Sequence, residues 1–185
     1  ESHAAGYGAQ PAEAYAAEIA AIEPGVVTDI CLPADEGANL PDGAGLQSYD
    51  GIVLTGSALH IYELEPAVTR QIELMRAIYA SGTPCFGSCW GLQLATVACG
   101  GTVAKHPEGR EIGIGRRIEI LSPGHGHGLY MGKPRLFDAI TVHLDQVETL
   151  APGTRFLAPA EDATPAIASL RIAIVHAPEI GRAHV

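Results

Sequence analysis

The sequence predicts an α/β protein built on a doubly wound, mostly parallel open sheet with flanking helices. Two observations support this class. Short apolar runs closed by glycine alternate with helical patterns over the first half of the chain, which is the order of strands and crossover helices in a parallel sheet. The chain has 185 residues, of which 47% are hydrophobic and 17% charged, so it can bury a core of its own. We therefore expect one domain over residues 1–178.

The first part of the chain is predicted to contain one helix and two strands. Pro11–Ile22 is rich in alanine, and its larger apolar residues recur at three- and four-residue steps. This spacing predicts a helix that packs one apolar face against the core. The apolar run Val26–Leu32 predicts a buried strand. Asp50–Gly56 is a second short apolar run closed by glycine, which is typical of a parallel strand covered on both faces.

The next segments continue the alternation. Pro66–Tyr79 places its apolar residues on one face and begins with proline, which suits a first helical turn, and Gly82 can end this helix. Pro84–Gly87 predicts another short strand. Trp90–Ala98 predicts a third helix, which the glycines at 100 and 101 can end.

The second half of the chain has a different pattern. Glu111–Leu121 alternates like an exposed strand, and Ala139–His143 is a short apolar run. Ile167–Val175 is compatible with a hairpin. The sequence shows no linker between the two halves.

The charge excludes several classes of function. Eleven Lys and Arg residues against 21 Asp and Glu give a formal net charge of −10, which repels nucleic-acid phosphates and anionic lipid head groups. No apolar run approaches the roughly 18 residues of a spanning helix. Glu1-Ser2-His3 has neither the basic start nor the apolar stretch of a signal peptide. We expect a cytoplasmic protein that binds neither nucleic acid nor membrane.

Gly87-Ser88-Cys89-Trp90-Gly91 is the sharpest chemical signal in the sequence. A G-x-C-x-G between a strand and a helix is the thiol form of the nucleophile elbow, in which a strained turn holds the nucleophile above the sheet edge. The following helix N-terminus lowers the pKa of such a thiol. The alternative is that Cys89 is an inert core thiol. The cysteine spacings indicate neither a zinc site nor a disulfide framework, and we expect the other three to be buried structural thiols: Cys31, Cys85 and Cys99.

Four motifs in order carry a resemblance to a known family. They are Asp50 to Ser57 (DGIVLTGS), Gly87 to Gln93 (GSCWGLQ), Arg110 to Gly113 (REIG) and His143 to Val147 (HLDQV). The sequence resembles the class I glutamine amidotransferases, and among them the stand-alone type similar to the amidotransferase domain of GMP synthase. The resemblance extends from about Ala12 to about Ala168 and implies the flavodoxin-like fold of that family.

The resemblance implies hydrolysis of the glutamine side-chain amide, with the ammonia passed to an acceptor. Cys89 would attack the amide carbon and form a γ-glutamyl thioester. The backbone N–H of Trp90 and the Gly56-Ser57 turn match the family's oxyanion loop, although the family more often has glycine where Ser57 stands. Gln93 corresponds to a position that contacts the substrate. Its alternative is a polar residue on a half-exposed helix.

The resemblance gives a role to only some of the histidines. His143 and Asp145 match the family's H-x-D-x-V segment beside the glutamine pocket, whereas without the family His143 would be a structural residue. His125 and His127 are spaced closely enough to be considered as metal ligands. Their loop is rich in glycine and has no cysteine or carboxylate nearby, however, and this pattern indicates a solvated loop. We expect no metal site. Three other histidines give no signal above surface residues: His60, His106 and His184.

The end of the chain departs from the family pattern. The family closes its catalytic triad with a late strand of the form Gln-x-His-Pro-Glu, whereas this chain has Val175-His176-Ala177-Pro178-Glu179. His176 is the candidate base and Glu179 the candidate orienting group. If Pro-Glu is aligned without a gap, Ala177 stands at the catalytic position instead. We expect residues 179–185 to be a non-native tail, since they can be reverse-translated into the start of a common sequencing adapter, and the family's first core strand to be absent.

Two other functions remain open. A γ-glutamyl peptidase or hydrolase would keep the nucleophile and bind a longer substrate, and an inert binding or regulatory module would keep only the pocket. The sequence contains no P-loop or Rossmann fingerprint. We therefore expect no cofactor, glutamine as the small-molecule substrate, and any ammonia-accepting synthetase to be a separate protein.

Overall fold

The computed structural model describes residues 11–37, 45–154 and 157–158. The chain divides into two compact units, residues 1–91 and residues 92–185. Each unit is described by itself below.

The first unit is an α/β arrangement around one parallel strand pair. Its helices are α1 (Pro11–Ile22) and α2 (Pro66–Ser81), its strands are β1 (Ile52–Leu54) and β2 (Cys85–Gly87), and short 3-10 turns lie at Leu46–Ser48 and Ile61–Glu63. The two strands pair in parallel, with Ile52 opposite Cys85 and Leu54 opposite Gly87. A parallel pair requires a crossover, and α2 supplies it.

Helix α2 provides the core of this unit and ends as the sequence predicts. Pro66 occupies its first turn, and Gly82 takes the left-handed conformation at its end, with φ of 72°. Its buried apolar side chains are each no more than 5% exposed: Val68, Ile72, Met75 and Ile78. The predicted bounds of α1, α2 and both strands are thus confirmed to within two residues.

Two sequence-based expectations about this unit are wrong. Val26–Leu32 has no regular secondary structure, and Val27 is 92% exposed. A strand is stabilised by a hydrogen-bonded neighbour, and within the described residues of this unit β1 and β2 pair only with each other. The second error concerns burial of the strand pair. Val53 and Phe86 are 42% and 41% exposed, so alternation along the strands leaves one face open rather than covering both.

The second unit consists mainly of antiparallel pairs. Helix α3 (Trp90–Ala98) begins at the end of the first unit and continues into the second. The strands are β3 (Thr102–Lys105), β4 (Glu111–Glu119), β5 (Leu136–His143) and β6 (Asp145–Thr149), with 3-10 turns at Ser122–Gly124 and Gly128–Tyr130. Strand β3 pairs with β6, and β4 pairs with β5, both antiparallel. The predicted α3, β4 and the β5 run are confirmed.

The inner face of β4 and β5 packs on a small core, whereas the outer face is exposed. Five residues form this core, with Phe137 and Ala139 packed against it: Ile118, Ile120, Tyr130, Leu157 and Ala158. On the outer face Ile112 stands opposite Val142 and Ile114 opposite Ile140, and these four side chains are between 55% and 84% exposed. We call these four residues the outer aliphatic strip.

Helices together with parallel and antiparallel strand pairs confirm the predicted α/β class. In the part of the chain that the structure describes, no helix is both long and apolar enough to cross a membrane. The predicted hairpin at Ile167–Val175 lies outside the described residues.

Candidate active site

Cys89 occupies a sharp turn between β2 and α3 in a conformation that L-residues rarely adopt. Its φ is 52°, in the left-handed region. Its side chain is exposed and is not disulfide-bonded. Such strain costs about 1–3 kcal/mol and persists only where the surroundings hold it. The structure thus places the thiol in the elbow geometry that the sequence predicts.

The backbone before and after Cys89 is fixed by β1. The N–H of Ser88 donates to the Leu54 carbonyl at 2.9 Å, and the N–H of Gly91 donates to the Ser88 carbonyl at 3.0 Å. A Cβ atom added at Gly91 would lie 2.8 Å from Cβ of Leu54 and 3.0 Å from its carbonyl oxygen. Only glycine allows this close approach of the start of α3 to β1.

The turn that follows β1 lies beside the thiol. A Cβ atom added at Gly56 would come 3.9 Å from Cβ of Cys89, so the backbone at Gly56 is adjacent to the cysteine. The hydroxyl oxygen of Ser57 accepts the N–H of Leu59 at 3.2 Å, which turns this side chain toward its own loop. The structure thus brings Gly56 and Cys89 together, as the carboxyl ends of two adjacent parallel strands should.

Trp90, the residue after the thiol, is anchored on α2. The side chain is 2% exposed, and its indole Nε1–H donates to Oε1 of Gln71 at 2.8 Å. The amide Nε2 of Gln71 donates in turn to the carbonyl of Ala67 at 3.0 Å. Sequence reasoning missed Gln71. A glutamine on the otherwise apolar face of α2 is the signal that could have drawn attention to it.

In the second unit, two of the four motifs meet across the β4–β5 pair. Glu111 stands opposite His143, and Nε2 of His143 lies 3.0 Å from Oε2 of Glu111. Oε1 of Glu111 accepts the hydroxyl of Thr141 at 3.2 Å. The ring of His106, which the sequence does not mark as functional, approaches the ring of His143 edge-on at 6.4 Å between centroids. Sequence reasoning gave Glu111 no role, although it belongs to the Arg110–Gly113 motif.

Gln93 and Asp145 are both buried within the second unit. Each is 8% exposed, so the interpretation of Gln93 as a residue on a half-exposed helix is wrong: its position on α3 faces inward. Oε1 of Gln93 accepts no hydrogen bond from any described residue. Asp145 begins β6 opposite Lys105 of β3. A buried amide oxygen with an open acceptor position is suited to binding a polar ligand group.

The other three cysteines are half-buried rather than fully buried as expected. Cys31 lies in the segment that forms no strand, and Cys99 lies in the turn after α3, so neither is inside a regular element. Burial raises the pKa of the Cys31 thiol, and the negative charge of Asp29 raises it further. Cys89 is therefore the most accessible of the four thiols.

The remaining predicted site residues either lie in a surface loop or fall outside the residues that the structure describes. Nε2 of the exposed His125 lies 2.9 Å from the Ile120 carbonyl, and Nδ1 of His127 accepts the N–H of Leu129. Over residues 11–37, 45–154 and 157–158, no three His, Cys, Asp or Glu side chains are grouped so as to hold a metal ion. His176 and Glu179 lie outside the described residues.

Comparison with known proteins identifies the family. Residues 25–177 match the family described as glutamine amidotransferase class-I. This match covers most of the chain, and the chain therefore belongs to the class I glutamine amidotransferase family. A glutamine amidotransferase structure from Thermotoga maritima has the same fold, with a TM-score of 0.65 and 22% identity over 79% of this chain and 60% of that chain.

Two curated relatives differ in activity. A γ-glutamyl-L-1-hydroxyisopropylamide hydrolase from a Pseudomonas species is 44% identical over 131 residues, which is 68% of this chain and 43% of the relative. A glutamine-hydrolysing GMP synthase from Thermomicrobium roseum is 32% identical over 108 residues, or 58% of this chain and 19% of the relative. The chain spans less than half the length of either relative.

Proposed function

We propose that this protein hydrolyses the side-chain amide bond of a γ-glutamyl compound through a thioester on Cys89. The observation that carries the proposal is the exposed thiol of Cys89 at positive φ, with Gly56 beside it. Nucleophile elbows use this geometry to present the reacting atom at the carboxyl edge of a sheet. The family assignment supports the same chemistry.

The reaction has two covalent steps. The Cys89 thiolate attacks the γ-carbonyl carbon, the C–N bond breaks, and the amine leaves with a proton to give the γ-glutamyl thioester. Water then attacks the same carbon, the C–S bond breaks, and glutamate and the thiol are released. The carbonyl oxygen carries negative charge in both steps. The N–H of Trp90, which as the first residue of α3 has no acceptor within the helix, and the turn at Gly56 and Ser57 are the proposed donors to it.

A base and substrate contacts complete the proposal. His176 takes the proton from Cys89 and delivers it to the leaving amine, with Glu179 orienting its ring; if Pro-Glu is aligned without a gap, Ala177 stands at this position and the base is missing. Gln93, His143 and Asp145 are the proposed contacts to the γ-glutamyl group. The buried Oε1 of Gln93 supports its part, because an ammonium or amide N–H of the substrate would satisfy it.

The leaving group separates two candidate functions. The 44% identical Pseudomonas relative is named for hydrolysis of a γ-glutamyl amide of an amino alcohol, which favours a small amine as the leaving group here. The GMP synthase relative favours glutamine as substrate, with ammonia passed to a separate synthetase. The chemistry at Cys89 is the same in both.

Parallel assays would distinguish the two candidates. Glutamine and the γ-glutamyl amide of a small amino alcohol are supplied separately, and ammonia, free amine and glutamate are measured. We expect higher kcat/KM for the γ-glutamyl amide and no product from Cys89→Ser. Higher kcat/KM for glutamine would favour the amidotransferase candidate. Binding of either compound without turnover would support the inert module instead.

A further inference from the structure

The strained conformation of Cys89 has to be maintained by its neighbours. On one side, the backbone N–H of Ser88 is bonded to β1. On the other side, the side chain of Trp90 is anchored as well. Its indole reaches α2, where Nε1–H donates to Oε1 of Gln71 at 2.8 Å. The two residues that flank the thiol are therefore attached to two different elements of the first unit.

Gln71 is well placed to act as a rigid acceptor. It is 7% exposed, and its Nε2 is bonded to the Ala67 carbonyl one turn earlier on α2, so both ends of the amide are engaged. This second bond fixes the amide orientation, because the NH₂ group must face Ala67 and the oxygen must face the indole. A buried hydrogen bond between two satisfied groups restricts motion more than an apolar contact does.

We propose that Gln71 is a positioning residue for the reaction. By holding the indole of Trp90, it fixes the peptide that carries the Trp90 N–H and maintains Cys89 at positive φ. This inference rests on the proposed function, since it takes Cys89 as the nucleophile and the Trp90 N–H as an oxyanion donor. Gln71 itself does not touch the substrate.

The chain offers a direct spectroscopic test. Trp90 is the sole tryptophan of the 185 residues, so the intrinsic tryptophan fluorescence reports on this one bond. Gln71→Met keeps the length of the side chain and removes the acceptor. Gln71→Glu keeps an acceptor oxygen for the indole but loses the N–H that Gln71 donates to the Ala67 carbonyl. We expect Gln71→Met to shift the emission maximum and increase acrylamide quenching. Gln71→Glu should remain closer to the parent protein than Gln71→Met in both measurements.

The effects of the two Gln71 variants on kcat should rank in the same order as their effects on fluorescence. Displacement of a reacting group by about 1 Å can cost about 10²-fold in rate, so we expect Gln71→Met to lower kcat about 10- to 100-fold with little change in KM. Gln71→Glu should recover part of this loss, because it keeps the acceptor for the indole but not the bond to Ala67. The rate at which iodoacetamide modifies Cys89, followed by peptide mapping, should also change in Gln71→Met, because the thiol no longer holds one conformation.

Thr83→Val is the matched control. It removes two part-buried hydrogen bonds of the same unit, one that the Thr83 hydroxyl donates to the Leu46 carbonyl at 2.8 Å and one that it accepts from the Ser81 hydroxyl at 3.0 Å, and neither involves the nucleophile turn. We expect it to change kcat by less than about twofold, since distant sites are usually independent. If Gln71→Met does not fold, Trp90→Phe removes the same bond from its donor side, and we expect it to lower kcat and to change the rate of Cys89 modification in the same way.

Each result decides the proposal. Unchanged fluorescence in Gln71→Met would mean that the bond is not formed, and changed fluorescence with parental kcat and labelling rate would mean that it positions nothing; either overturns the proposal. If the parent protein hydrolyses neither glutamine nor a γ-glutamyl amide, the proposed function fails. The fluorescence and the rate of Cys89 modification then decide the role of Gln71 on their own.

Discussion

Nε2 of His143 lies 3.0 Å from the carboxylate of Glu111, and the two residues face each other across the β4–β5 pair. The other carboxylate oxygen accepts the hydroxyl of the buried Thr141. The carboxylate therefore lies between the Thr141 hydroxyl and the imidazole, within ion-pair distance of Nε2. This contact holds the ring of a proposed substrate contact beside Glu111.

The first prediction concerns this pair. Glu111→Gln keeps the shape of the side chain but removes the charge, so the ring of His143 loses the carboxylate that holds it in place. We expect KM for the γ-glutamyl substrate to rise about 3- to 10-fold, the value of one hydrogen bond, with a smaller effect on kcat. Steady-state kinetics would test this, with the exposed Glu108→Gln as control. Equal effects of the two variants would contradict the prediction.

The second prediction concerns the close approach at Gly91. A methyl group there meets Leu54 at 2.8 Å, so Gly91→Ala must displace the start of α3 or β1. We expect a loss of about 1–3 kcal/mol in the free energy of unfolding, together with reduced turnover. Thermal and urea denaturation measure the first effect. Gly128→Ala, where an added Cβ meets nothing within 4 Å, should be close to neutral.

The third prediction concerns thiol reactivity. A glutamine-mimicking electrophile should modify Cys89 first at neutral pH. Burial and Asp29 raise the pKa of Cys31, so its thiolate is scarce at neutral pH and its modification should accelerate as the pH increases. Asp29→Asn should accelerate it modestly, because the larger cause, burial, remains. Peptide mapping over a pH series distinguishes the thiols, and equal labelling of Cys31 and Cys89 at pH 7 would refute the assignment.

The fourth prediction concerns Cys89, the proposed nucleophile. Cys89→Ser is nearly isosteric but has no thiolate near neutral pH, so turnover should fall by about 10³-fold or more while the fold is retained. Circular dichroism and thermal unfolding would verify the fold. Undiminished turnover would exclude the thioester route.

The fifth prediction concerns the base. If His176 is the base, His176→Ala should lower turnover about 10²- to 10⁴-fold, the usual contribution of a positioned acid–base group. If Ala177 instead stands at the position of the catalytic histidine, the base is missing, and Ala177→His should increase turnover. Measuring both variants on the same substrate assigns the position.

Local signals predicted much of the fold and the centre of the site. The alternation of α2, β2 and α3 and the turn at Cys89 follow from short-range spacing and glycine placement, and the structure reproduces them. Val26–Leu32 shows where this approach fails, since an apolar run becomes a strand only when another strand pairs with it. Gln71 and Glu111 show a second limit. Their roles depend on contacts with residues 19 and 32 positions away, which no local pattern reveals.

The outer aliphatic strip affects how the protein behaves in concentrated salt. Four β-branched side chains are exposed side by side on a chain with a formal net charge of −10, and such a charge makes the molecules repel one another. Added salt screens the mutual repulsion between molecules, and sulfate or phosphate strengthens apolar association as well. Both effects act in the same direction. The protein should therefore precipitate at low ammonium sulfate saturation and be retained strongly on a phenyl column, and a buffer of low ionic strength is the suitable medium for the experiments above.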